Sequence, residues 1–335
     1  MAGYVYVQTN DADANEVVAY RRDDGGRLDR LGRYGTGGKG SGTPHLPSQS
    51  SVVLSDGRLF VTNAGSDDVS AFAVDGDELR PLDRVDSAGS APRSVAVHDE
   101  HVYVLNTEGK PNVSGFVFDG KRFAGLAKHE LPSGSDPAQI AFAPGGHALL
   151  VTDRASNGIH VIALDERFAP RALETHPSSG ATPYGFDIRA DGTVVVTEAA
   201  GAQVGKASAS SYRLGGAGLA PLSGVIGNTR SEVCWAVLSK DGRTAFVTNF
   251  GDGTISSYAV GDDGSIELRE AVAATTVDGQ PGIRDEALTG DGRFLYALHA
   301  DTGTVYGWEV GTDGSLAAVG FANGLPLTAA GLAAS

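Results

Sequence analysis

Short apolar runs recur along the chain, and turn-forming residues separate them. Ser51-Val52-Val53-Leu54, Ser94-Val95-Ala96-Val97, Gln139-Ile140-Ala141-Phe142, Gly185-Phe186-Asp187-Ile188, Trp235-Ala236-Val237-Leu238 and Asp285-Glu286-Ala287-Leu288 are each followed by a two-residue turn signal and a second apolar run. The signals are Asp56-Gly57, Asp99-Glu100, Gly145-Gly146, Asp191-Gly192, Asp241-Gly242 and Asp291-Gly292, with first residues 43, 46, 46, 50 and 50 apart. Such a turn between apolar runs predicts a β-hairpin. A second set interleaves with the first: Gly25-Gly26, Asp75-Gly76, Asp119-Gly120, Asp165-Glu166, Gly215-Gly216, Asp263-Gly264 and Asp313-Gly314. Two hairpins per repeat of 40-odd residues make four strands per unit, the pattern of a β-propeller blade.

With strands lettered A to D from the axis outward, there are six A–B hairpins and seven C–D hairpins. The N-terminal unit starts at strand B (Tyr4 to Gln8) and lacks an A strand. The small, apolar tail Ala330-Gly331-Leu332-Ala333-Ala334 supplies one. The prediction is an all-β, seven-bladed β-propeller of four-stranded antiparallel blades. One domain spans residues 1–335, and the C-terminal strand closes the ring by joining the N-terminal blade, which removes free sheet edges.

Most A strands are apolar on both faces, as a blade packed between two neighbours requires. Asp187 and Glu286 break that pattern, and a buried carboxylate needs a partner or a raised pKa. The B strands end in polar residues: Asn10, Asn63, Asn106, Asp153, Glu198, Asn249 and His299. Asn and Asp there close the B–C turn through their own side chains; alternatively, a ring of oxygens holds Ca²⁺. Glu198 and His299 depart from the turn pattern and so carry more functional weight. The same rim receives Arg93, Gln139, Tyr184, Cys234, Trp235, Arg284 and Asp285 from the starts of the A strands. Two connecting segments, Tyr34 to Ser50 (with His45) and Ala199 to Ser211, are expected over that rim as lids or as plain surface loops. The axial funnel is the concave site a propeller always offers.

Composition narrows the options. The formal charge of −15 repels phosphate backbones and anionic lipid, so neither nucleic acid nor membrane is an expected partner; a small molecule is. Oligomeric state is left open. The single cysteine, Cys234, excludes an intrachain disulfide and a cysteine metal site. No basic start followed by an apolar run is visible, so a cytoplasmic protein is expected, or a secreted one already freed of its leader. No cofactor is required by any motif; Ca²⁺ is the one ion in view.

The Asp-Gly-Arg-x-x-x-Val-Thr-Asn pattern, Thr182-Pro183-Tyr184-Gly185-Phe186 and Gly282-Ile283-Arg284-Asp285 resemble the lactonase family of seven-bladed propellers, which includes phosphogluconolactonases and carboxymuconate-lactonizing enzymes. Within that family the chain is most similar to actinobacterial lactonase family proteins. The resemblance implies a site of one His, two Arg and one Glu around the channel. Glu198 matches the Glu and Arg284 one Arg; Tyr184 stands at the other Arg, and the Ala138-Gln139 region offers no His. The missing cations argue against a sugar-phosphate lactone. The expectation is an enzyme that hydrolyses or isomerises a small cyclic ester or related carbonyl compound. Glu198, Arg284, Asp285 and His299 would be catalytic. Tyr184, Trp235, Gln139, Arg93, Asn63, Asn106, Asp153, Asn249 and His45 would bind substrate. The alternative is a non-catalytic propeller that binds a small ligand or a protein on its rim.

Overall fold

The computed structural model describes residues 3–44, 46–47, 49–215, 218–277 and 279–335. The alternation of apolar positions places neighbouring side chains of each strand on opposite sides of the blade. Along the first B strand (Gly3–Gln8), Val5 and Val7 pack with Phe294, Tyr296 and Leu298 of the last blade. Tyr6, between them, packs with Leu59, Val61 and Phe72 of the next blade. The same split recurs around the ring, so the core is seven apolar layers, each between two successive blades. Full burial of one such Val, Leu or Phe stabilises by roughly 1.5–3 kcal/mol.

Seven four-stranded antiparallel sheets form the seven-bladed β-propeller. The A strands of blades two to seven are Val52–Ser55, Ser90–His98, Pro137–Phe142, Pro183–Ile188, Val233–Leu238 and Ile283–Leu288. The B strands after them end at Asn63, Glu108, Asp153, Glu198, Asn249 and His299. Asp56 and Gly57 both take positive φ (44° and 69°), the two-residue turn whose twist suits a hairpin.

Ring closure is as expected. The tail strand Ala330–Ala334 pairs antiparallel with Gly3–Gln8, with Val5 opposite Ala334 and Val7 opposite Leu332. The Ser335 backbone N–H donates to the Tyr4 carbonyl at 2.9 Å, and the Tyr4 N–H returns a bond to the Ser335 hydroxyl.

Both rim segments differ from loose lids. The strand after Glu198 starts at Ser208, so that connection is only residues 199–207, with a 3₁₀ turn at Ala200–Ala202. The segment after Tyr34 is pinned along its length. A Cβ on Gly40 would fall 2.1 Å from the Asn10 backbone, so only glycine lets the segment lie this close. Farther on, Leu46 is buried against Ala64 and Ala330. Gln49 reaches across the axis to the sixth blade, donating to the Ala236 carbonyl at 2.8 Å and accepting from its N–H at 3.2 Å. The end of this segment is therefore a plug in the rim-side mouth of the channel. His45 lies outside the described residues.

Candidate active site at the rim

The polar residues that end the B strands do one shared job. Each binds the connector that brings the chain in from the preceding blade, together with the start of its own C strand. Asn63 donates to Asp68 and Ser70 and accepts from Thr36 at 2.7 Å. Asn106 donates to the Ser87 carbonyl, Asn112 and Ser114. Asp153 accepts from the Asp136 N–H, Ser156 and His160. Asn249 donates to Thr254 and Ser256 and accepts from Asn228. Asn10 differs: its side chain holds Ser41 and Thr43, on the segment that leaves the first blade for the second. These oxygens are spent inside separate blades. Among the described residues, no three or more His, Cys, Asp or Glu gather where they could hold a metal ion.

Glu198 and His299 follow the same rule. Glu198 is 0% exposed. It accepts hydrogen bonds from Ser210, from Ser208 at 2.8 Å and from the Gly180 N–H at 3.2 Å. A Cβ on Gly180 would come within 2.7 Å of the carboxyl carbon, just as one on Gly38 or Gly89 would crowd Asn63 or Asn106, so glycine at this connector position makes room for the strand-end side chain in several blades. Burial raises the Glu198 pKa, and the serine hydroxyls oppose it. His299 is buried against Gly282, with Nδ1 3.1 Å from the Thr302 hydroxyl. Neither residue lines the rim pocket.

That pocket has a volume of 400 Å³ and lies between the connectors and B–C turns of blades four to seven. Its chemistry comes from Arg284, Arg154, Tyr184, Cys234, Asp136 and Glu232. Arg284 is 7% exposed; its guanidinium lies over the Phe250 ring at 4.4 Å, and neither Nε nor Nη1 has a hydrogen-bond partner among the described residues. Arg154 donates to Asp136 at 2.5 Å and to the Tyr184 hydroxyl at 3.2 Å, with its guanidinium 5.0 Å from the Tyr184 ring centre. Burial pushes the Tyr184 phenol up to about 12 and the Cys234 thiol up to about 11, so both stay protonated at neutral pH. Thr182, Ala202 and Glu232 of the lining all hold positive φ, between 52° and 61°. Strained backbone of this kind concentrates where a site fixes its geometry.

The other expected positions scatter. Trp235 is fully buried behind the pocket, its ring 4.8 Å from that of Tyr184. Arg93 pairs with Glu108 at 2.5 Å and does not line the pocket, although Arg154, Asp136 and Tyr184 are within its electrostatic reach. Gln139 and Asp285 face the axial channel. There Gln139 bridges blades four and five through the Phe186 N–H and carbonyl, at 2.7 and 2.9 Å. Arg154, Asp136 and Glu232 escaped the sequence reading; each sits beside a strand end that had been singled out or on the connector facing it.

Residues 50–204 match the model of the family described as "Lactonase, 7-bladed beta-propeller". The chain's likeness is to the lactonase propellers. The matched stretch contains Arg154, Tyr184 and Glu198 but stops short of Glu232, Cys234 and Arg284. Solved structures share the fold over the whole chain. A periplasmic gluconolactonase from Pseudomonas aeruginosa is 17% identical, with a TM-score of 0.75, covering 100% of this chain and 99% of its own. A candidate 6-phosphogluconolactonase from Bacteroides fragilis is 14% identical, with a TM-score of 0.79 over 100% and 98%. A protein from Lactobacillus plantarum is 17% identical, with a TM-score of 0.78 over 100% of both chains. A search of the curated proteins found no match.

Proposed function

We propose that the chain is a lactone hydrolase that opens a small lactone carrying an anionic group in the rim pocket. One observation carries this reading beyond the family likeness: the buried Arg284 guanidinium on the wall of the pocket, with Nε and Nη1 lacking a hydrogen-bond partner among the described residues. A buried cation whose N–H groups are not all paired is costly. It is well suited to a carbonyl oxygen that turns into an oxyanion. The second cation that the resemblance places at Tyr184 is supplied in space by Arg154, which lies on the Tyr184 ring. Two guanidiniums, one of them paired with Asp136, weaken the objection to a charged lactone.

Glu232 would take a proton from water, whose oxygen attacks the ring carbonyl carbon. Arg284 would hold the oxyanion, and Arg154 the anionic substituent. On collapse the ring carbon–oxygen bond breaks and the departing oxygen regains the proton, giving a hydroxy acid. Tyr184 stays a neutral hydrogen-bonding wall. The sealed Glu198 favours a second reading, a propeller that binds a hydroxy acid or lactone without turning it over.

Acid release from a panel of carboxylated and phosphorylated lactones, followed by pH-stat, tests the proposal. Turnover of at least one is expected. Arg284→Gln should lower kcat/KM by roughly 100-fold or more, the scale of losing one oxyanion donor, and Glu232→Gln should lower kcat. Calorimetric binding of a lactone without any acid release would select the second reading.

A further inference from the structure

We propose that the axial channel is a second ligand site, separate from the rim pocket, and that it takes a small organic cation bearing an ammonium group. The channel encloses 430 Å³ along the inner strands. Gln49, bonded to both sides of the Ala236 peptide, and buried Leu46 close it toward the rim. At the opposite face, the A-strand ends Leu54, Phe142, Ile188, Leu238 and Leu288 are only half-buried, so the channel opens there.

Three carboxylates line the channel: Asp187 from the fifth blade, and Asp285 and Glu286 from the seventh. Asp187 is satisfied by the Leu238 and Ile188 N–H groups, both at 2.7 Å. The other two are not. Asp285 is 2% exposed and Glu286 3%, and none of their four oxygens meets hydrogen-bonding geometry among the described residues; the Gly331 N–H and the Arg284 charge favour ionised Asp285 without outweighing its burial, and Glu286 has no such help. No Lys or Arg lines the channel with them.

The scaffold does not ask for these acids. By strand register, Glu286 occupies the place of Ile140, Phe186 and Ala236 in the three preceding blades. Asp285 occupies that of Gln139, Gly185 and Trp235. Buried carboxylates without partners destabilise a fold, so a pair kept at positions that elsewhere tolerate apolar or neutral residues points to a compensating cation.

The walls choose its class. No three acidic, His or Cys side chains of the described residues are placed to hold a metal ion, and the channel is far larger than an ion needs. Val52, Leu54, Val237, Leu288 and Leu332 offer apolar surface for a short hydrocarbon chain. An ammonium head would face Asp285 and Glu286, with the methylenes along these residues. Burial raises the Asp285 pKa to about 6 and lifts that of Glu286 well above the usual glutamate range, with repulsion from Asp187 and Asp285 adding to the latter. A bound cation would therefore drive protons off them into solvent.

The test is calorimetric titration of the intact protein with 1,4-diaminobutane at pH 7, in two buffers of different ionisation enthalpy. Expected are saturable binding, an apparent enthalpy that differs between the buffers because protons are released, and a raised Tm. Glu286→Gln, which keeps the side chain's shape, and Asp285→Asn should each weaken binding at least tenfold, while Arg80→Gln on the exposed outer strand Glu78–Asp86 should leave it unchanged. No heat and no Tm shift with 1,4-diaminobutane or butylamine would overturn the proposal, and the wild-type protein alone suffices for that result. Binding without proton release, binding indifferent to both channel substitutions, or a response to Ca²⁺ alone would overturn it as well.

Discussion

At the scale of single residues, two carboxylates that look alike in the sequence have opposite surroundings. Glu198 has its oxygens engaged by Ser210, Ser208 and the Gly180 N–H, whereas neither Glu286 oxygen has a hydrogen-bond partner among the described residues. Removing Glu198 should therefore cost stability. Glu198→Ala is expected to lower the unfolding free energy by about 2–4 kcal/mol, from orphaned hydroxyls and a small cavity. Glu198→Gln, which keeps shape and one acceptor, should lose less. Both variants should keep lactone turnover per folded molecule, read by pairing denaturant unfolding with the pH-stat assay. Loss of turnover in a fully folded Glu198→Gln would return the catalytic role to this residue. The sequence marked Glu198 because it departs from Asn in the repeat. The signal for its packing was present but spread out: Ser210 and Gly180 stand where Ser70 and Gly38 meet Asn63, and where Ser114 and Gly89 meet Asn106. Arg154 was missed for a different reason: it reaches the site by crossing to Tyr184, 30 positions ahead, a contact that only blade packing creates.

At the scale of elements, the segment from Tyr34 to Ser50 shows what a sequence can state and what it cannot. Its glycines marked it as irregular, and the position of the neighbouring B-strand ends put it at the rim. That it ends as a plug follows from Gln49 meeting Ala236, 187 residues away, on the far side of the ring. The inner edge of an A strand has no strand beyond it, so its N–H and C=O groups need other partners. Gln49 satisfies Ala236 in this way, just as Gln139 satisfies Phe186 and Asp187 satisfies Leu238. Gln49→Ala should cost about 1–3 kcal/mol by orphaning both groups of a buried peptide. Gln49→Glu should cost more, because a carboxylate cannot donate to the Ala236 carbonyl and adds a fourth acid to the channel. Thermal melts of the two variants, and hydrogen exchange at Ala236, check both expectations. The hairpins were legible because an Asp-Gly turn between apolar runs is a local statement. The pocket was not, because it is assembled from connectors and turns of four different blades.

At the scale of the whole molecule, closure and charge act together. Counting hairpins was enough to show that the ring needs its last strand. Removing residues 327–335 should expose the Gly3–Gln8 edge and open the layer containing Leu332, so a large drop in Tm or loss of cooperative unfolding is expected by calorimetry. The closed ring then fixes how stability depends on pH. Asp187 and Asp285 titrate near 6 in the folded chain because of burial, and burial also raises Glu198 and, more strongly, Glu286. An acid whose folded pKa is raised stabilises the fold while it is protonated. That contribution is complete below the unfolded value near 4 and is lost as pH rises through the folded value. For a shift of about 2 units it is worth up to about 3 kcal/mol per group. Burial lowers the pKa of His299 and His101, whose contributions run the other way and fade as pH falls below about 6.5. Asp153 opposes the trend only in stronger acid, because bonds from His160, the Asp136 N–H and Ser156 outweigh its burial and hold its pKa well below the usual range. Four raised acids outweigh two histidines, and the net charge of −15 adds repulsion as carboxylates ionise. The protein without a channel ligand should therefore gain stability as pH falls from 8 toward 5. Replacing Asp285 with Asn and Glu286 with Gln together should flatten that slope in Tm-versus-pH scans. If an ammonium ligand occupies the channel, it holds the two acids ionised and should flatten the slope of the wild-type protein in the same way. Equal slopes in the wild-type and doubly substituted proteins, both free of ligand, would mean that the channel acids do not set the acid-side stability.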